Sequence, residues 1–402
     1  MSVQQDTKRL AVTLLILANV LSAMSMDIHL PMAPLIMADL QTSEFLIQSI
    51  FIISVILTTT TPLFWGPLSD CYGRRALFLP ACCFMIVGQF GCAVAPTIEW
   101  LLFARFVQYL GVGAVFTVVM AVICDSYTGI VRARMIALLE ISIPFALIVA
   151  PIVGAFTASY FGWRYNFLLL GILQLILFVV LINHMPETLK IKRVFEWKRS
   201  FQNLSDLLYN RIYIRYVLIF AMLNAVYMLL IMHSPFILIK GLGASPTTFA
   251  FSQSCMIAVY CLGLFVYRRL VPKYGVTKLL NISMIGYCFY GLSTLFLWLG
   301  IIPFTFTNNI AIMFVDCFFA GPIITSCNSL ALDACDDTLG GTNASMIESI
   351  AGAITGLFMV LSAYAANDSY MPVFVIIVGI VFIAFCVWFN LITEPKKEHL
   401  VN

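Results

Sequence analysis

The chain has 402 residues, of which 62% are hydrophobic and 10% are charged, and its formal net charge is +3. Soluble domains are about 45–50% apolar and about 25% charged, and a soluble protein of this length could not bury so much apolar surface. The composition therefore excludes a soluble protein and predicts an all-α polytopic membrane protein. The twelve cysteines are scattered without a Cys-x-x-Cys pair, so we expect packing thiols rather than disulfides or a metal site.

Twelve apolar stretches are long enough to cross a hydrocarbon core as helices, which takes about 20 residues. These spans are predicted at residues 10–36, 45–65, 76–96, 99–123, 133–157, 165–184, 213–235, 247–267, 277–299, 308–331, 344–366 and 372–392. Connections are short except for the basic stretch 185–212, which is predicted to be a cytoplasmic linker. It divides the chain into an N-terminal six-helix bundle, 1–184, and a C-terminal bundle, 213–402, with a short cytoplasmic tail.

The basic residues predict the orientation of the chain. With the N-terminus inside, all 22 Lys and Arg except Arg105, Arg164 and Lys240 lie at the cytoplasmic face or at span ends that border it. Both termini are therefore predicted to be cytoplasmic. The halves also echo each other, because a Tyr-Gly pair occurs at 72–73 and again at 274–275. Two six-helix halves with weak internal symmetry are typical of secondary transporters, which rock one bundle against the other.

A charged segment, Gly66–Arg75, interrupts the apolar sequence between the second and third spans and reads Gly-Pro-Leu-Ser-Asp-Cys-Tyr-Gly-Arg-Arg. It resembles the signature loop of the major facilitator superfamily. Further elements resemble the twelve-span drug:proton antiporters of that family, particularly the bicyclomycin and chloramphenicol resistance branch. They are Asp27 to Pro31 in span 1, Arg105 to Gly113 in span 4, Asp125 closing that span, Ala150 to Gly154 in span 5, and Gly162-Trp163-Arg164 and Pro186-Glu187-Thr188 around span 6.

Four carboxylates lie within predicted spans: Asp27, Glu140, Asp316 and Glu348. Each costs about 2.5–3.5 kcal/mol at the centre of an inserting helix, so each needs a partner, a wet cavity or a proton. Asp27 lies deep in the first span, and the resemblance implies a proton site that also attracts cationic substrate. The alternative is a structural acid that pairs with a neighbouring helix. Asp316, Glu140 and Glu348 are further candidates for proton coupling or substrate binding.

Arg105 is a basic residue well inside a span. The resemblance implies that it transfers protons or tunes an acid, while the alternative is a carboxylate partner that holds spans 1 and 4 together. Gly111 and Gly154 are predicted points of close helix approach, and Pro144 together with Pro151 of the antiporter element is predicted to bend span 5. His29, His184 and His233 lie near span ends and are predicted to be interfacial side chains. The alternative is a member of a proton relay, and His29, two residues after Asp27, is the strongest candidate for it.

The resemblance implies a proton-coupled exporter of small lipophilic or cationic compounds, working by alternating access in the bacterial inner membrane. The expected partners are the substrate, protons and the lipid bilayer, without nucleic acid, metal or cofactor, and the chain is expected to act as a monomer. Two alternatives keep the fold: export of a dedicated metabolite such as a siderophore, and proton-driven uptake of a small solute. A membrane-embedded transferase is disfavoured because no His accompanies the acidic run Asp333 to Asp337.

The signature segment is predicted to form the cytoplasmic gate. Its members are Gly66, Asp70, Gly73, Arg74 and Arg75, and one of the two arginines is predicted to pair with Asp125. The alternative is an anchor that fixes topology by positive charge alone. In the second half, Pro272 stands where Asp70 would fall, so the gate is predicted to be one-sided.

Overall fold

The computed structural model describes residues 2–189, 210–334, 340–366 and 370–393. Most of the predicted linker, 190–209, and Cys335, Asp336 and Asp337 lie outside the described residues. Within the described ranges every regular element is helical. Eleven helical segments are long and apolar enough to cross a membrane, and one further helix pair forms a bent span, so the twelve predicted spans are confirmed within the described residues.

The first eight helices belong to the predicted N-terminal bundle. They are α1 (Ser2–Asp27), α2 (Ala33–Asp39), α3 (Glu44–Thr60), α4 (Pro62–Tyr72), α5 (Arg74–Ala93), α6 (Ile98–Ser126), α7 (Gly129–Phe161) and α8 (Arg164–His184). Six more follow: α9 (Arg211–Pro235), α10 (Pro246–Tyr274), α11 (Val276–Trp298), α12 (Phe306–Asp333), α13 (Gly340–Ala365) and α14 (Met371–Thr393). A π-helical segment, Phe236–Gly241, continues α9.

Packing divides the chain into two units that differ from the predicted division at 184 and 213. The first unit comprises Met1–Trp197 and Ile231–Ala258, and the second comprises Lys198–Leu230 and Val259–Asn402. Ile231–Ala258 joins the first unit because its side chains meet that bundle. Lys240 pairs with Glu44 at 3.3 Å, and His233 Nδ1 lies 3.1 Å from Gln48 Nε2. Hydropathy marks the polar linker but does not report such contacts.

The first span is broken, whereas the sequence predicted one continuous helix. α1 ends at Asp27, a short 3₁₀ turn covers Leu30–Met32, and α2 completes the span. Pro31 has no N–H to donate to the Asp27 carbonyl oxygen, and a proline ring also crowds the preceding turn. The break therefore lies at the acid that the resemblance identified.

The second span is bent by 42° between α3 and α4. Pro62 starts α4 without a donor for the Thr58 carbonyl. The hydroxyls of Thr58 and Thr61 donate to carbonyls one turn back, at 2.6 and 2.5 Å, and such side-chain bonds commonly accompany a bent helix. The span continues to Tyr72. Most of the signature segment is therefore helical, whereas the sequence suggested a loop. The turn itself is Gly73, with φ 113°.

Glycines set the closest helix contacts of the first unit. A Cβ at Gly111 of α6 would overlap the carbonyl oxygen of Ala81 on α5, and a Cβ at Gly154 of α7 would overlap the carbonyl oxygen of Ile28. Both predicted close approaches are therefore present. α7 runs unbroken through Pro151 and begins at Gly129, four residues before the predicted start, because only Tyr127 and Thr128 separate it from α6.

Candidate functional site

The Asp27 carboxylate lies at the break in the first span. Asp27 is the last residue of α1, and its side chain is half-buried. Among the described residues, no side chain or backbone donor bonds this carboxylate and no cation pairs with it. The backbone just beyond it is fixed, because Gly154 packs against the carbonyl of Ile28 and Asn166 Nδ2 donates to the Gly154 carbonyl at 3.1 Å. A rigid backbone therefore carries an acid without a partner.

Arg105 of α6 lies in the same unit and is fully buried. Its Nη1 donates to the Ser25 carbonyl of α1 and to Gln108 Oε1, both at 3.1 Å, and its guanidinium carbon lies 4.5 Å from the centroid of the Phe167 ring. No carboxylate pairs with it among the described residues. The alternative of a carboxylate partner is therefore wrong for this part of the chain, since α1 and α6 are joined through a backbone carbonyl instead.

His29 lies within the break and is 1% exposed, so the prediction of an interfacial side chain is wrong. Its ring stacks on Phe51 with centroids 4.9 Å apart and lies 6.3 Å from Phe167. His233 is also fully buried, beside Gln48. Both histidines are buried because side chains of neighbouring helices pack against them, Phe51 and Phe167 against His29 and Gln48 against His233.

The other three intramembrane acids lie in different surroundings. Asp316 of α12 is fully buried in the second unit, and the Tyr287 hydroxyl donates to its Oδ1 at 2.5 Å. The side chains of Glu140 on α7 and Glu348 on α13 are exposed on the protein surface. Neither makes a hydrogen bond or ion pair with another described residue. Within the first unit, no described contact joins Glu140 to Asp27. Asp27 alone among the four combines partial burial with the absence of a described partner.

The signature segment forms a compact ion cluster around Arg74, which is 7% exposed. Its Nη2 pairs with Asp70 at 2.5 Å, its Nε donates to Asp125 at 3.0 Å, and its Nη1 donates to Ser69 Oγ at 2.5 Å. The predicted pairing of an arginine with Asp125 is therefore present, and it belongs to Arg74. Gly66 is not required sterically there, because a Cβ would lie at an ordinary 3.6 Å from Thr117.

Glu187, which follows α8, completes the cluster and was not among the predicted site residues. Its two carboxylate oxygens accept hydrogen bonds from the backbone N–H groups of Arg74 and Arg75, at 3.0 and 3.2 Å. Arg75 in turn donates to the carbonyls of Met185 and Ile182 at the end of α8, at 2.8 and 2.6 Å. The free amides that begin α5 and the acid in the Pro-Glu-Thr element were visible in the sequence, but their meeting depends on how α8 packs.

Twelve spans, a broken acid-bearing first helix and a clamped signature segment define a multi-pass membrane transporter. The chain belongs to the Major Facilitator Superfamily, whose model matches residues 15–358. The predicted family is thus confirmed, and with it the expectation of a transporter rather than an enzyme.

Similar proteins support a relationship to drug resistance transporters. The chain is 24% identical over 342 residues to an uncharacterized MFS-type transporter, YdgK, of Bacillus subtilis, covering 84% of this chain and 85% of that protein. It is 29% identical to a chloramphenicol resistance protein of Pseudomonas aeruginosa, covering 47% of this chain and 46% of the relative. It is 27% identical to the multidrug resistance protein MdtL of Shigella dysenteriae, covering 54% and 55%. The last two alignments span about half of each relative.

Solved structures agree on the fold. The nucleoside transporter NupG superposes with a TM-score of 0.76 at 14% identity, covering 94% of this chain and 99% of NupG. At that identity the likeness establishes the major facilitator fold alone.

Proposed function

We propose that the protein is a proton-coupled exporter of small lipophilic or cationic compounds in the bacterial inner membrane, working by alternating access and without a bound cofactor. The observation that carries the proposal is the Asp27 carboxylate, which is half-buried at the break of the first span without a described partner.

An intramembrane acid of this kind favours exchange between a charged, unpaired carboxylate and a form that has bound a proton or a cation. An unpaired carboxylate costs about 2.5–3.5 kcal/mol at the bilayer centre, and binding a proton or a cation removes that cost. A structural acid would instead be expected to keep a fixed donor, as Asp316 does with Tyr287. Asp27 therefore suits alternate occupation by a proton and by a cationic or polar substrate group.

The proposed cargo follows from the acid itself and from the relatives. A carboxylate without a described partner suits a cationic or polar group of the cargo. Relatives named for multidrug and chloramphenicol resistance support a lipophilic cargo. A dedicated metabolite exporter or a proton-driven importer would use the same acid, so transport direction is part of the test.

The proposal is tested by proton-driven efflux in everted membrane vesicles. We expect Asp27→Asn to abolish substrate-dependent proton release while the protein remains in the membrane, because the amide cannot exchange a proton. Asp27→Glu should retain part of the coupling. The matched control is Asp316→Asn, which keeps an acceptor for Tyr287 and should leave coupling within about twofold of wild type. Undiminished coupling in Asp27→Asn would contradict the proposal.

A further inference from the structure

A group of four cations surrounds the second Tyr-Gly turn, where α10 ends and α11 begins. This basic cluster consists of Arg268, Arg269, Lys273 and Lys278, all exposed. The ammonium groups of Lys273 and Lys278 lie 5.1 and 5.2 Å from the centroid of the same ring, that of Tyr274. Two like charges are thereby held close to one exposed aromatic residue.

The basic cluster has no acid nearby in sequence or among the described contacts. The chain contains no Asp or Glu between Asp206 and Asp316. None of the four cations pairs with a carboxylate in the part of the chain that the structure describes. Like charges gathered around one turn repel each other, so a bound anion would stabilise the arrangement.

An apolar strip continues from the cluster along α10. Leu262, Phe265, Arg269 and Lys273 recur at helical spacing on one face. Leu262 is 52% and Phe265 is 54% exposed, and the Arg269 guanidinium lies 4.9 Å from the Phe265 centroid. The face therefore changes from apolar to cationic within three helical turns. That order matches an amphiphile whose charged group lies at the helix end and whose chains lie along the helix.

We propose that the basic cluster binds the headgroup phosphate of an anionic phospholipid, with the acyl chains against Leu262 and Phe265. Positive-inside orientation places the α10–α11 junction at the cytoplasmic surface, where Lys and Tyr meet lipid headgroups. The inference concerns the lipid-facing surface and does not depend on the transported cargo.

Native mass spectrometry of the full chain released from mixed micelles tests the proposal, with phosphatidylglycerol and phosphatidylcholine of identical acyl chains as the probes. Wild type should retain phosphatidylglycerol preferentially. Lys273→Gln/Lys278→Gln should weaken that retention by about fivefold per neutralised charge. The matched control, Arg134→Gln/Arg211→Gln, removes two exposed cations elsewhere on the predicted cytoplasmic face and should keep wild-type retention.

One further variant and one competition measurement complete the test. Lys273→Arg/Lys278→Arg should restore retention, which separates loss of charge from loss of folding. Glycerol phosphate should fail to displace the lipid, because it lacks acyl chains for the apolar strip. Equal retention in the cluster and control variants, no preference for phosphatidylglycerol in wild type, or full displacement by glycerol phosphate would each overturn the proposal.

Discussion

The two Tyr-Gly turns of this transporter have a similar backbone conformation but differ in the side chains around them. Gly73 and Gly275 both have positive φ, 113° and 76°, and both precede a long helix. Around Gly73, carboxylates from α4, α6 and the segment after α8 meet the Arg74 side chain and the amides that begin α5. Around Gly275 the described residues contribute cations and an aromatic ring, and a Cβ there would meet nothing within 4 Å.

The comparison separates the turn, which one residue produces locally, from the ion cluster, which needs residues that are distant in sequence. A single glycine is enough to produce the turn, so the turn occurs in both halves. The ion cluster needs residues from three distant parts of the chain, so it occurs only where the helices bring them together. This difference supports the predicted one-sided gate, and we expect the first turn to control conformational change while the second contacts lipid.

The largest expected effect follows from removing the centre of the ion cluster. Arg74→Gln leaves Asp70 and Asp125 facing each other without their cation, and breaking such a pair costs about 3 kcal/mol. Unfolding in an SDS titration should show that loss together with slower efflux. Arg269→Gln at the second turn should change stability by less than about 0.5 kcal/mol. Similar losses in both variants would contradict the contrast between the turns.

Hydropathy predicted the fold well because twelve spans are each long and apolar. It missed the break after Asp27 and the bend at Pro62, although Pro31 and Pro62 were visible, because hydropathy does not register a missing backbone donor. Within the ion cluster around Arg74, the pairing with Asp125 was predictable from family resemblance and topology. The bonds of Glu187 to α5 and of Arg105 to the Ser25 carbonyl were not, because each depends on the relative depth of two packed helices.

Substitution of Gly73 and of Gly275 gives the next contrast between the two turns. An L side chain with positive φ costs about 1–2 kcal/mol at either position. At Gly73 a new Cβ would also lie 2.5 Å from Glu187 Oε2 and would displace that carboxylate from the α5 amides. We therefore expect Gly73→Ala to lower the unfolding free energy by about 2 kcal/mol and Gly275→Ala by about 1 kcal/mol, measured in the same SDS titration. A larger loss at Gly275 would show that the second turn is more constrained than its open surroundings indicate.

The smallest effect should come from Glu187→Gln, which keeps an acceptor for the α5 amides but removes its charge. A carboxylate at a helix N-terminus contributes about 0.3–1 kcal/mol when exposed, as Glu187 is, so stability should fall by no more than about 1 kcal/mol. Transport should respond more strongly than stability if the clamp between α8 and α5 limits the conformational step. The ratio of initial efflux rates in vesicles, corrected for protein content, measures that response. Thr277→Glu at the second turn is the reciprocal variant, because it supplies a carboxylate where the described chain has none. It should leave efflux unchanged, and a matching loss in both variants would remove the functional distinction between the turns.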